Sequence, residues 1–228
     1  LKSALIIGAS GYIGGAITRW LGQKGYTVTA TFHKHPIEPR PGLLALPLDL
    51  ESQSSQDSFL REIEDQRFAG IVFSFAYLEK EILKQQNDAL MERQLRVYSI
   101  NLLHLIRKLL AYLDTREKTN IVFIGSLVGL KSVGLPPHYA MAKSCIRGLV
   151  ESLSKELGQM NVLVNSVDPG MLESGVSTAL EQEKRQDYLS HSSLKRFGTA
   201  DEVARVVEWV LDENSYISGK SFLLDGGL

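Results

Sequence analysis

Short apolar runs alternate with longer amphipathic stretches along the chain. Ala4–Ile7, Thr27–Phe32, Leu43–Leu48, Ile71–Phe75, Asn120–Ile124, Asn161–Val167 and Ser221–Leu224 are brief, apolar or β-branched, and bounded by glycine, proline or polar residues, which predicts strands. Between them, Ile13–Lys24, Ser52–Gln66, Met91–Leu113, His138–Gly158 and Asp201–Leu211 repeat apolar residues at helical spacing, with Ser52 placed as an N-cap. Runs such as Ala4-Leu5-Ile6-Ile7 and Ile121-Val122-Phe123-Ile124 have no polar face, as strands covered on both sides require. The alternation predicts an α/β fold with a doubly wound parallel sheet of about seven strands and helices on both faces. No linker composition divides the chain, so residues 1–228 are expected to form one domain. One stretch stands apart: 171–195 is polar, helix-prone and inserted between a strand and a helix. An insertion of that size is expected to act as a lid over a site.

Composition narrows the partners. With 228 residues, 44% hydrophobic and 22% charged, the chain can bury one substantial core. A net charge of −1 points away from nucleic acid and from anionic membranes. No apolar run is long enough to span a bilayer, and the opening LKSALIIGAS is expected to be a strand rather than a signal peptide. The single cysteine, Cys145, excludes an internal disulfide and fits a reducing, cytoplasmic setting. It is expected to be a small buried packing residue rather than a nucleophile.

Gly8-Ala-Ser-Gly11-Tyr-Ile-Gly14 follows the first predicted strand and opens the first predicted helix. Glycines there permit a tight turn and close approach of backbone to a pyrophosphate, and a helix N-terminus offers unpaired N–H groups. The context predicts a dinucleotide bound in the manner of a Rossmann fold. At the end of the second strand, a carboxylate would hold the ribose 2′-hydroxyl of NAD. Phe32, His33 and Lys34 stand there instead, and the two basic side chains suit the 2′-phosphate of NADP(H). The alternative for these residues is a solvated basic loop.

Tyr139 and Lys143 lie four residues apart, on one face of a helix. A lysine ammonium beside a tyrosine favours the phenolate and lowers a pKa that is otherwise about 10. The pair can be a tuned acid/base or helix surface. Ser126, thirteen positions upstream at the end of the strand Ile121–Ile124, favours the first, because strand C-terminal ends face the ligand crevice of such sheets.

With these residues the sequence resembles the short-chain dehydrogenase/reductase family, in its compact single-domain branch. The resemblance spans the whole chain: the glycine loop, Asp49, Asn101, Ser126, Tyr139-x-x-x-Lys143, Asn165, Pro169-Gly170 and Asp225-Gly226-Gly227. It implies that Tyr139 donates the proton to a substrate carbonyl, that Lys143 lowers its pKa and holds the nicotinamide ribose, and that Ser126 hydrogen-bonds the carbonyl. Asn101 would hold a water connecting Lys143 to solvent. It further implies cofactor contacts from Gly8, Ser10, Gly11, Tyr12, Ile13, Gly14, Phe32, His33, Lys34, Asp49, Leu50 and Ala76, with Asp49 at the adenine. Pro169, Gly170, Met171, Leu172 and Ser174 would adjoin the nicotinamide.

Two departures stand out. Tyr12 occupies the place of the second family glycine, and the spacing Gly8-x-x-Gly11-x-x-Gly14 is similar to that of the extended branch; the compact branch is still expected, since the extended one implies a sizeable C-terminal substrate domain beyond the last strand. Ser74-Phe75-Ala76-Tyr77 replaces the family's Asn-Asn-Ala-Gly. The segment from Leu194 to the terminal glycines is most similar to 3-oxoacyl-[acyl-carrier-protein] reductases, which implies a 3-oxoacyl substrate, carrier-bound or free. Lys131, Arg147 and Lys195 are then candidates for meeting an acidic carrier. Other small carbonyls (sugars, cyclic ketones, polyketides) and a non-catalytic NADP-binding regulator are the alternatives. His138 is expected to be a loop or pocket-wall residue. The resemblance, with the wide apolar arc of Leu102, Leu103, Leu105, Ile106, Leu109 and Leu110, predicts a homotetramer or dimer.

Overall fold

The computed structural model describes residues 2–76, 87–131 and 135–228, apart from the side chain of Ala179. Tyr77, singled out above, and residues 132–134 of the loop before Tyr139 lie outside the described residues. The strands are β1 (Ser3–Ile7), β2 (Thr27–Phe32), β3 (Leu43–Pro47), β4 (Gly70–Phe73), β5 (Thr119–Ile124), β6 (Val162–Pro169) and β7 (Ser221–Leu224). They form one parallel sheet in the order β3-β2-β1-β4-β5-β6-β7. The order turns back between β1 and β4, and a crevice opens at the strand C-termini there.

The unbroken apolar strands are explained by two helical layers. In β1, Ala4 and Ile6 face the core built with α1 (Tyr12–Gln23) and α7 (Ala200–Asp212), where Ile17, Leu21, Val203 and Val207 are buried. Leu5 and Ile7 face the opposite core, with α2 (Gln53–Glu62), α4 (Leu102–Leu109) and α5 (Pro137–Leu157). Each fully buried Leu, Ile or Phe contributes roughly 1.5–3 kcal/mol, so placing successive residues in two cores uses every position of the strand. Caps follow the local chemistry. Ser52 accepts the Ser55 amide as expected, and Thr199 and Glu202 close a reciprocal capping box on α7.

Several boundaries differ from the sequence expectation. α2 ends at Glu62 rather than Gln66, because the chain turns at Ile63 to bury that side chain. β4 ends at Phe73, and Phe75 leaves the sheet to pack on Tyr98, ring centroids 5.2 Å apart. β6 runs two residues beyond Val167, which brings Asp168 and Pro169 into register with Leu223 and Leu224. The single helix predicted over Met91–Leu113 is a chain of pieces. α3 (Asp88–Arg96) leads into a π-helical turn (Val97–Asn101), then α4, then a 3-10 turn (Leu110–Tyr112). Between α6 (Gln182–His191) and β6 lies a further 3-10 turn, Gly175–Ala179. Among the described residues no helix is long and apolar enough to cross a membrane.

Candidate active site

The glycine loop is shaped for backbone rather than side chains. Gly8 sits at φ +85°, and a β-carbon there would come within 2.8 Å of the Phe75 backbone. The loop is tied to the strand beside it: the Gly8 amide donates to the Thr31 hydroxyl at 3.0 Å and the Ala9 amide to the Thr31 carbonyl at 2.8 Å. A β-carbon on Gly14 would overlap the Gly8 carbonyl oxygen, so Gly14 keeps α1 against the strand and lies behind the crevice rather than in its lining. The α1 N-cap is Gly11, which brings no capping side chain, and the first turn holds no acid. Its leading N–H groups are left for an anion, with the positive end of the helix dipole behind them. Tyr12, where the family has glycine, does not fill this space. Its ring lies against Gly175, and its hydroxyl accepts the Ala200 amide at 3.5 Å.

A cleft of about 550 Å³ extends from this loop along the strand ends. Ser10, Gly11, Tyr12 and Ile13 line it, as do Phe32, His33 and Lys34 at the end of β2, and Asp49, Leu50 and Ala76. His33 lies 3.7 Å from the Asp49 carboxylate, and its side chain is half exposed. The Asp49 amide is held by the Ser55 hydroxyl. Arg93 of α3 grips both oxygens of Glu51 at 2.6–2.9 Å, closing this end of the cleft with a bidentate pair that joins residues 42 positions apart.

At the other end, Ser126, Tyr139 and Lys143 converge, as all three line the same cleft. Pro137 at the first position of α5 fixes the helix start, so Tyr139 and Lys143 project together one turn later. The Ser126 hydroxyl is bonded to that of Tyr139 and also accepts the Val128 amide at 3.3 Å. Lys143 is almost fully buried. Its ammonium donates to the Ile124 carbonyl at 3.2 Å and lies 5.1 Å from the Tyr98 ring centroid and 6.0 Å from that of Tyr139. Asn101 closes the π-helical turn that packs against α5, is half-buried, and does not line the cleft.

The electrostatics depart from the simple picture of a lysine lowering a tyrosine. Burial pushes the Tyr139 hydroxyl up to about 12, and the bond to Ser126 opposes that rise. Burial also pulls Lys143 down to about 8, with Asp168 opposing. The ammonium stands over ring faces and a carbonyl, and desolvation is the larger influence on both groups.

Pro169, Gly170, Met171, Leu172 and Ser174 line the cleft beside this centre, joined by Gly175, Val176, Leu180 and Tyr188 of the segment that follows. That segment is anchored by the terminal glycines: the Leu194 amide donates to Gly226, Ser193 to Gly227, and the Tyr188 hydroxyl to the Asp225 carbonyl. Asn165 serves the sheet, donating to Ile217 and accepting from Lys220.

Other expectations need correction. Cys145 is exposed, because two positions past the inward Lys143 is about 200° around the helix. His138 is buried in the first turn of α5 and is no part of the cleft wall. Lys131, Arg147 and Lys195 do not line the cleft; they are engaged with Asp225, Glu151 and the Ser190 carbonyl. Sequence reasoning also passed over Asp168, Thr31 and Arg93. Only for Asp168 was there a signal, a carboxylate placed at the C-terminal end of a strand, directly before Pro169-Gly170.

A protein-family model described as "Enoyl-(Acyl carrier protein) reductase" matches residues 8–228. The chain belongs to the short-chain dehydrogenase/reductase family. Among its relatives, the 3-oxoacyl-[acyl-carrier-protein] reductase FabG of Pseudomonas aeruginosa is 30% identical, with all of this chain and 97% of that protein aligned. The 3-oxoacyl-[acyl-carrier-protein] reductase MabA of Mycobacterium tuberculosis is 28% identical over all of this chain and 92% of its own length. A solved short-chain dehydrogenase family protein from Francisella tularensis superposes with a TM-score of 0.89 at 22% identity, covering 99% of this chain and 98% of the other. As a short-chain dehydrogenase/reductase the protein is an oxidoreductase of a nicotinamide cofactor. The glycine cradle, the uncapped helix start and the elongated cleft fit such a dinucleotide.

Proposed function

We propose that the protein is an NADPH-dependent carbonyl reductase that converts a 3-oxoacyl thioester, or a similar ketone, to the hydroxy product. The observation that carries this reading is one continuous cleft with basic residues at one end and the Ser126–Tyr139–Lys143 cluster at the other. His33 and Lys34 replace the acid an NAD site would use, and so favour a 2′-phosphate. Bound nicotinamide supplies a hydride to the carbonyl carbon. The protein supplies the rest. Ser126 orients the carbonyl, and the Tyr139 hydroxyl gives its proton to the oxygen as negative charge develops. Lys143 sets the charge around Tyr139 and holds the ribose. Asn101 is assigned the water that connects Lys143 to solvent.

The substrate class rests on the lining beside Tyr139. Leu127, Val128, Leu135, Met171, Val176 and Leu180 give an apolar wall suited to an acyl chain. Residues 171–195 act as the lid that excludes water. Lys131 and Arg147 are paired with Asp225 and Glu151, while Lys195 donates to the neutral Ser190 carbonyl and keeps its charge for an acidic carrier. The assay is NADPH oxidation with an acetoacetyl thioester, free and on a carrier protein. Turnover of either supports the reading; turnover of only a sugar or cyclic ketone transfers the protein to that substrate class, and binding of NADPH with no turnover of any ketone makes it a cofactor-binding regulator.

The same reading includes a homodimer or homotetramer. Most of the apolar arc of α4 turns into the chain's own core, since Leu102, Leu105, Ile106 and Leu109 are buried. What remains outside is Ile100, Leu103 and Met141, each about half exposed on the long helices. Sedimentation equilibrium at micromolar concentration should give a multiple of 25.3 kDa; a monomer mass refutes the assembly.

A further inference from the structure

We propose that Asp168 is a positioning residue of this site: its carboxylate fixes the Ser126 backbone and provides the counter-charge for the buried Lys143. The inference rests on the reductase reading for its bearing on catalysis, but its geometry stands alone. Asp168 is 5% exposed, near the end of β6. One carboxylate oxygen accepts the Ser126 amide at 3.1 Å, and the other accepts the Ser166 hydroxyl at 2.6 Å. Ser166 in turn lies 3.0 Å from the Ser221 hydroxyl, so three neighbouring strands are joined through one acid. The fit is reciprocal. A β-carbon at Gly125 would overlap the Asp168 carboxylate, so the residue before Ser126 is the one that makes room for it.

Tying strands together needs only a neutral acceptor, and an asparagine would serve. A buried carboxylate is costly unless it is paired. The charge that acts on it is Lys143. Burial raises Asp168; its hydrogen bonds from Ser166, Ser221 and the Ser126 amide lower it, and Lys143 adds a smaller lowering. For Lys143 the balance is simpler: burial lowers it, and Asp168 is the group that raises it. The groups acting on Asp168 are the hydroxyls of Ser166 and Ser221 and the Ser126 amide from the sheet side, and Lys143 from α5. Among the described residues no other charged group acts on either member of the pair. Asp168 thereby favours the ammonium form of Lys143 against burial, and it does so from behind the strand, without lining the cleft.

The test reads Lys143 directly. In protein labelled with ε-13C lysine, the Lys143 signal is assigned by its loss in Lys143→Met and titrated in the native chain, in Asp168→Asn and in Gly125→Ala. Asp168→Asn should lower the Lys143 midpoint by about one pH unit, tenfold in proton affinity. Gly125→Ala, which alters no charge but displaces the carboxylate, should move it the same way, and Asp168→Glu should restore it in part. The reciprocal titration leaves Asp168 in place: in Lys143→Met its carboxyl signal should move up. Where ketone reduction is measurable, the pH limb of kcat should shift with the Lys143 midpoint while KM holds. An unmoved Lys143 midpoint in Asp168→Asn, or a kcat loss uniform across pH, overturns the proposal. The lysine titration needs no substrate, so it decides the matter even for a protein that reduces no ketone.

Discussion

The two ends of the cleft are built by opposite means. At the dinucleotide end the work is done by backbone: Gly8 in a left-handed turn, Gly14 with no room for a methyl group, and a helix start without a cap. The side chains there, His33 and Lys34, are exposed and sit at the end of a strand. At the chemical end, Tyr139 and Lys143 are 4% exposed and bonded to protein groups, and their protonation is governed by burial. The first end therefore tolerates changes of side chain but not of backbone shape. The second tolerates almost no change of side chain, because each group there is buried and held by protein partners.

Tyr139→Phe tests the second end most severely. The ring stays packed and only the hydroxyl is lost, so kcat should fall by about 10²–10⁴ while NADPH fluorescence titration is nearly unchanged. Retention of more than about a tenth of kcat would remove Tyr139 from the acid role. Gly14→Ala tests the first end by shape alone. The added methyl must push the Gly8 carbonyl aside, at a cost of about 1–3 kcal/mol, visible as a lower melting temperature and weaker cofactor binding; a native melting curve would show that the loop yields freely. Phe32→Asp is the mildest. It puts a negative charge where a 2′-phosphate is expected and should move the NADPH-to-NADH preference in kcat/KM about tenfold towards NADH, or about 1.4 kcal/mol. An unchanged preference, or a native preference for NADH, would break the assignment of His33 and Lys34.

The same contrast explains what could be read from the sequence. Runs such as Ile121–Ile124 announce strands because both faces are buried, and the seven-stranded α/β sheet followed from them. The glycine loop was legible because its geometry is a property of glycine itself, and Ser126, Tyr139 and Lys143 because their spacing survives as a pattern. Pairings made across the fold leave no such trace. Arg93 meets Glu51 from 42 positions away, and nothing in either neighbourhood announces the other. Asp168 and Gly125 explain each other only once β5 and β6 are side by side. The exposure of Cys145 was missed by reasoning from residue type where helix phase decides. The π-helical turn at Val97–Asn101 was invisible because one extra residue in a turn hardly disturbs a periodic pattern.

That turn has a bearing on how the chain tolerates insertion and deletion. A π turn amounts to one residue added to an α-helix. The wide turn takes up that residue, so Leu102, Leu105, Ile106 and Leu109 keep the faces that bury them in the core. Removing one residue within 97–101 should let the helix run regularly with those side chains still turned inward. The same deletion inside Leu102–Leu109, where no wide turn absorbs it, would rotate everything beyond by about 100°. Single-residue, reading-frame-preserving deletions should therefore be tolerated better within the π turn than within α4.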